Sequence, residues 1–116
     1  MTFNVSAGAH QPPLFSEDAL ALRFSDRHAD DLRYVAAWSK WLQWDGTRWA
    51  FDRTVNVYDL ARAVCREAAA ECNDKSSKRI AAAVTRAAVE NLARADRRHA
   101  ATVEDWDRHA WLLTTA

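Results

Sequence analysis

At 116 residues, with 49% hydrophobic and 28% charged residues and only two glycines and two prolines, the chain has the make-up of one folded domain. That excludes disorder as its main state. Sixteen basic residues are offset by sixteen acidic ones, so net charge alone makes no case for an electrostatic nucleic-acid binder, and only the distribution of charge can.

The opening MTFNVSAGAHQPPLF has neither the basic start nor the apolar run of a signal peptide, and no later stretch is long and apolar enough to span a membrane. A cytoplasmic protein is expected. Residues 1–14 read as a flexible arm ending at Pro12-Pro13, and residues 15–116 as a single domain. Ser16 can cap a first helix, with Glu17 and Asp18 at its positive end and Leu20 and Phe24 on one face, running to about Ala29.

Residues 33–52 follow as a tryptophan-rich β-hairpin. Asp45-Gly46-Thr47 is the turn signal, and aromatic residues on both sides suit a pleated, half-buried surface. Alternation puts Trp38, Lys40, Leu42 and Trp44 on one face and Ser39, Trp41, Gln43 and Asp45 on the other. Trp44 and Trp49 read as core. Trp41, on the opposite face, stays open between core and a stacking surface for unpaired bases, with Lys40, Arg48 and Arg53 near it in sequence.

After Thr54 the helical period returns. Asn56 is the expected cap, and Val57, Leu60, Ala61, Val64, Cys65 and Ala68 form a stripe along the second helix, which should end between Glu71 and Asn73. Ser76 or Ser77 then caps a long third helix reaching about Arg98. Finally Thr102 and Asp105 have capping-box spacing before a short helix. The expected class is α+β, predominantly helical, with about four helices and one small hairpin.

Charge gathers in the third helix. Residues 75–99 hold seven basic and two acidic side chains. At about 100° per residue, Lys75, Arg86, Arg94 and Arg97 fall within roughly 60° of Arg79, with Ile80, Val84, Ala88, Asn91 and Ala95 near the opposite half-turn. Such a face is ordinarily just solvated. It could also neutralise phosphates without reading bases, although Glu90 interrupts it.

The candidate nucleic-acid contacts are therefore Lys75, Lys78, Arg79, Arg86, Arg94, Arg97 and Trp41. Four histidines and two cysteines give no zinc spacing, so neither metal nor cofactor is expected. Cys65 and Cys72 read as reduced thiols. His99 reads as a packed imidazole. No GxSxG turn, phosphate loop or acid–base cluster marks an enzyme.

The run Trp41-Leu42-Gln43-Trp44-Asp45-Gly46-Thr47-Arg48-Trp49, with LRYVAAWSK before it, NVYDLARAVCREAAAE after it and EDWDRHAWLLTTA at the end, resembles the helical domain upstream of the superfamily-three helicase in poxvirus-type and phage-satellite-type primase–helicases. The resemblance covers roughly Leu20 to Thr115. It implies a linker or collar between a primase region and a ring-forming, ATP-using helicase, and it favours core roles for Trp44 and Trp49.

No catalytic residue of the family maps here, and the phosphate loop that follows in the family pattern is not among these 116 residues. The expectation is a non-catalytic accessory domain, excised or from a truncated prophage gene, that contacts or positions DNA without sequence preference beside neighbouring helicase or primase domains. The alternative is a protein-interaction module, self-associating as a collar, that does not touch DNA. A stand-alone helix-turn-helix regulator fits poorly, because the turn CNDKSS has no glycine and the following helix is too long.

Overall fold

The computed structural model describes residues 13–105, apart from the side chain of Asp74. Residues 1–12, most of the arm expected over residues 1–14, and the segment 106–116, which contains the WLLTTA part of the resemblance, lie outside the described residues. Helix α1 spans Glu17–His28, strand β1 Leu32–Val35, β2 Lys40–Trp44 and β3 Trp49–Phe51. Helices α2 (Asn56–Ala70), α3 (Asp74–Ala81) and α4 (Ala83–Ala93) follow, then strand β4, Ala100–Ala101.

The α+β, mainly helical class holds, but the hairpin is part of a larger sheet of order β3-β2-β1-β4. β1, β2 and β3 are antiparallel, and β4 joins β1 in parallel through Tyr34–Ala100 and Val35–Ala101. The turn lies where the Asp-Gly signal puts it. Asp45 Oδ1 accepts from the Thr47 and Arg48 backbone N–H groups, and Gly46 takes φ +104°, where a side chain would be strained.

The sheet faces divide as alternation predicts. Leu42, Val35 and Trp49 are buried on one side with Trp38, Trp44 and Phe51 packed around them. Trp41 and Tyr34 point the other way, into the main core with Leu20 and Phe24 of α1, Val57, Ala61, Val64, Cys65 and Ala68 of α2, and Ile80, Val89 and Ala93. Cross-strand ring contacts, Trp44 to Trp49 at 5.7 Å and Tyr34 to Trp41 at 5.1 Å, stabilise both faces.

Ser16 caps α1 as expected, accepting from the Ala19 N–H. The second cap differs from expectation. Val55, at φ +52°, precedes α2, and the carboxylate of Asp52 at the end of β3 accepts from the N–H groups of Asn56 at 2.9 Å and Val57 at 2.8 Å. Asn56 instead donates its amide to Gln43. Asp52→Ala should therefore lose about 1–2 kcal/mol, measured as a lower urea midpoint, with Asp52→Asn recovering part of it.

The long third helix is two helices. Asn73, not Ser76 or Ser77, caps α3 by accepting from the Ser76 N–H. The chain then breaks at Ala82, which is extended at φ −67° and ψ 149°. Thr85 Oγ1 donates to the Arg79 carbonyl across the break at 2.7 Å. On one continuous helix Ile80 and Val89, nine residues apart, would point about 180° away from each other, yet both are fully buried. The break lets both face the core and leaves Val84 71% exposed. The capping box after β4 is present: Thr102 Oγ1 accepts from Asp105 N–H, and Asp105 accepts from Thr102 N–H.

Candidate nucleic-acid interface

Because the helix is broken, the six cations are distributed over two helices and the turn that follows them. Lys75, Lys78 and Arg79 stand exposed on α3, and Arg86 is half-buried on α4. Arg94 caps the end of α4, and Arg97 is exposed in a 3-10 turn, Arg97–His99. What distinguishes them is their partners.

The arginines of α1 are tied to carboxylates of α2, Arg23 to Glu71 at 3.0 Å and Arg27 to Glu67 at 2.8 Å. Arg98 is tied to Asp26 and Asp96. Arg94 belongs with these. Its guanidinium donates to Glu90 at 2.6 and 3.0 Å and lies 5.3 Å from the Tyr34 ring centre, and the Glu90 carboxylate raises its pKa. It is a weak candidate for phosphate contact, being already neutralised.

Lys75, Lys78 and Arg79 have no carboxylate within ion-pair distance among the described residues. Among the described residues Arg79 donates to the Phe15 carbonyl, at 3.1 Å, a neutral acceptor that leaves its charge in place. The Arg86 Nε is buried without a hydrogen-bond partner. Its charge opposes, weakly, the upward pKa shift that burial imposes on the Cys65 thiol.

Trp41 is core and offers no stacking face. It is 7% exposed, its ring meets those of Tyr34, Phe24 and His99, and its Nε1–H donates to Glu90 at 2.7 Å. Glu90, which in the sequence merely interrupts a basic stripe, is thus the acceptor that makes the burial of Trp41 affordable. Its carboxylate serves one buried donor and one surface arginine.

Three exposed cations without a carboxylate partner among the described residues lie outside the predicted set: Arg66 on α2, and two that lie close together. Lys40, at the start of β2, and Arg53, after β3, are exposed and have no carboxylate partner among the described residues. The sequence shows both beside the tryptophans, but only the fold brings them to one trough. No group of three or more His, Cys, Asp or Glu side chains suited to a metal occurs among the described residues. No described helix is long and apolar enough to cross a membrane.

A family model described as "D5 N terminal like" matches residues 21–116. No curated protein and no solved structure matches the chain.

Proposed function

The chain belongs to the D5 N-terminal-like family, the N-terminal domain of D5-type primase–helicases, and on that premise we propose that it is a non-catalytic replication domain that holds DNA by its backbone. The contacting residues are Lys75, Lys78 and Arg79 of α3, with Arg86 and Arg97 contributing from neighbouring elements. Phosphates are neutralised and no base is read.

The observation that carries this reading is the selective pairing of charge. The arginines of α1, the end of α4 and Arg98 are spent on internal carboxylates, whereas the three cations of α3 have none among the described residues.

The test is fluorescence anisotropy of labelled duplex, single-stranded and forked DNA across a salt series, for the wild type and for the triple variant Lys75→Ala, Lys78→Ala, Arg79→Ala. Each lost phosphate contact removes about 0.9 from the log–log salt slope on duplex DNA, so the triple variant should be shallower by about 2.7. Absence of salt-dependent binding at concentrations on the order of tens of micromolar in low salt would sink the reading.

A second reading rests on a different surface. Leu22 is exposed between two shallow clefts, one lined by Leu14 and the other by Leu92, which are exposed as well. This apolar strip along α1 and α4 suits a neighbouring helicase or primase domain, or a second copy of the chain. Sedimentation of wild type against Leu22→Glu distinguishes self-association from a monomer that needs a heterologous partner.

A further inference from the structure

Between the start of β2, the β3–α2 connection and α4 lies a cleft of about 220 Å³. Ser39, Lys40, Trp41, Asp52, Val55, Val57, Tyr58, Glu90 and Arg94 line it. It shares Lys40 and Asp52 with a second hollow of about 460 Å³ that continues past Phe51 to Arg53. Together they make a trough with Arg53 at one end, Lys40 in the middle, and Tyr58 and Arg94 at the other.

Three cations and two carboxylates border this trough, but the carboxylates are not available. Asp52 is saturated by the backbone N–H groups of Thr54, Asn56 and Val57. Glu90 is saturated by Trp41 Nε1–H and by two N–H groups of Arg94. Lys40 has no partner among the described residues, and Arg53 has only the ring of Phe51, at 6.0 Å. Arg94 is neutralised by Glu90, and Asp52 keeps its charge but has its oxygens turned to the backbone of α2, so the uncommitted donors of the trough are those of Lys40 and Arg53.

The cleft is smaller than the roughly 300–1,000 Å³ typical of a complete small-molecule site. It has room for one flat ring, with the side chains of Val55, Val57 and Tyr58 as walls. Two of its residues, Ser39 and Val55, hold φ of +52°. That is a conformation a β-branched residue rarely adopts, and it persists where surrounding structure enforces it. In Val55 it leaves the side chain 71% exposed at the mouth of the cleft.

We propose that this trough seats a single strand of nucleic acid, with Lys40 and Arg53 on consecutive phosphates and one unstacked base in the cleft against Tyr58. A duplex cannot enter, because a paired base has no exposed face to insert. The inference rests on the DNA-contact reading above but assigns a different surface and a different form of DNA: α3 holds backbone of any form, and the trough selects the unpaired strand.

The experiment compares a labelled oligo-dT strand with a duplex of equal length, for wild type, for Lys40→Ala with Arg53→Ala, and for Tyr58→Ala. Both changed cations are exposed, so the double variant should fold as wild type does, which circular dichroism checks. The expected result is a loss of single-strand affinity of about tenfold with a shallower salt slope, at about 0.7 per lost contact, and unchanged duplex binding. Tyr58→Ala removes the wall against which the base lies and should weaken single-strand binding as well, again with duplex binding unchanged.

Ultraviolet cross-linking of a 5-iododeoxyuridine strand, read by mass spectrometry, should mark Tyr58. Wild type that binds both forms, with the double variant unaltered and no adduct at Tyr58, would overturn the trough while leaving the α3 reading standing. Wild type that binds neither form overturns both.

Discussion

Replacing Trp41 with alanine is expected to cost about 3–5 kcal/mol, read as a fall in the urea midpoint with little change in m-value. Set against the roughly 5–15 kcal/mol that holds a domain of this kind together, that loss brings the variant close to unfolding under mild conditions. The size follows from where the indole sits. It links three parts of the fold, touching Phe24 of α1, Tyr34 of the neighbouring strand and His99 beside β4, and its N–H reaches across to Glu90 of α4.

Variants of Glu90 separate packing from polar satisfaction. Glu90→Gln keeps an acceptor for the indole and loses only the ion pair with a partly exposed arginine, about 1 kcal/mol or less. Glu90→Ala also orphans a buried donor and should lose about 1–3 kcal/mol more. If the two variants were equally stable, the indole hydrogen bond would have no energetic role. A base-stacking Trp41 predicts the opposite pattern throughout, with loss of DNA affinity at full stability.

The elements that could be read from the sequence are those whose signals are local. Ser16 caps α1, Asp-Gly marks the β2–β3 turn, alternation sorts the tryptophans between two faces, and the Val57 to Ala68 stripe is the buried side of α2. What was missed is set by contacts between distant residues. β4 is only two residues long and pairs with β1 across more than sixty residues, so no periodicity could announce it. The Asp52 cap works from outside the helix, through a left-handed Val55 that residue type argues against.

The break at Ala82 is the instructive case, because alanine is the best helix former and local propensity points the wrong way. The clue was in the apolar phase. Ile80 and Val89 cannot share a buried face on one straight helix, and the conflict is resolved by ending the first helix and starting another. The basic stripe was a product of the same assumption. Once the helix divides, the cations sort by their partners and not by their angle.

Stability should also fall as the pH is lowered through the histidine range, and His99 should account for the fall. The imidazole is fully buried. Nδ1 lies 3.0 Å from the Leu32 carbonyl, which can only accept, so Nδ1 carries the proton. Nε2, 3.0 Å from Ser25 Oγ, then accepts from the hydroxyl. Both ring nitrogens are satisfied by the neutral tautomer.

Burial lowers the pKa of His99 below its ordinary 6.5, against weaker opposing pulls from the Leu32 hydrogen bond and Asp96. Below pH of about 6.5 the unfolded chain takes up a proton at this residue that the folded chain refuses. More protons on the unfolded side means stability that is complete above that pH and declines as the pH drops toward the folded-state value.

The Asp96 carboxylate acts in a separate, more acidic window. Its hydrogen bond from Arg98 holds its pKa at about 2, against 3.8 unfolded, so its contribution is present above 3.8 and is lost as pH falls toward 2. Chemical denaturation of wild type and His99→Gln at half-unit steps from pH 7.5 to about 4.5 tests the assignment. The variant should be less stable at pH 7.5, because a core ring and its fit to Leu32 and Ser25 are lost, yet flatter across the range. Parallel wild-type and variant profiles would mean that the imidazole protonates in place, and that the site is less closed to water than its packing indicates.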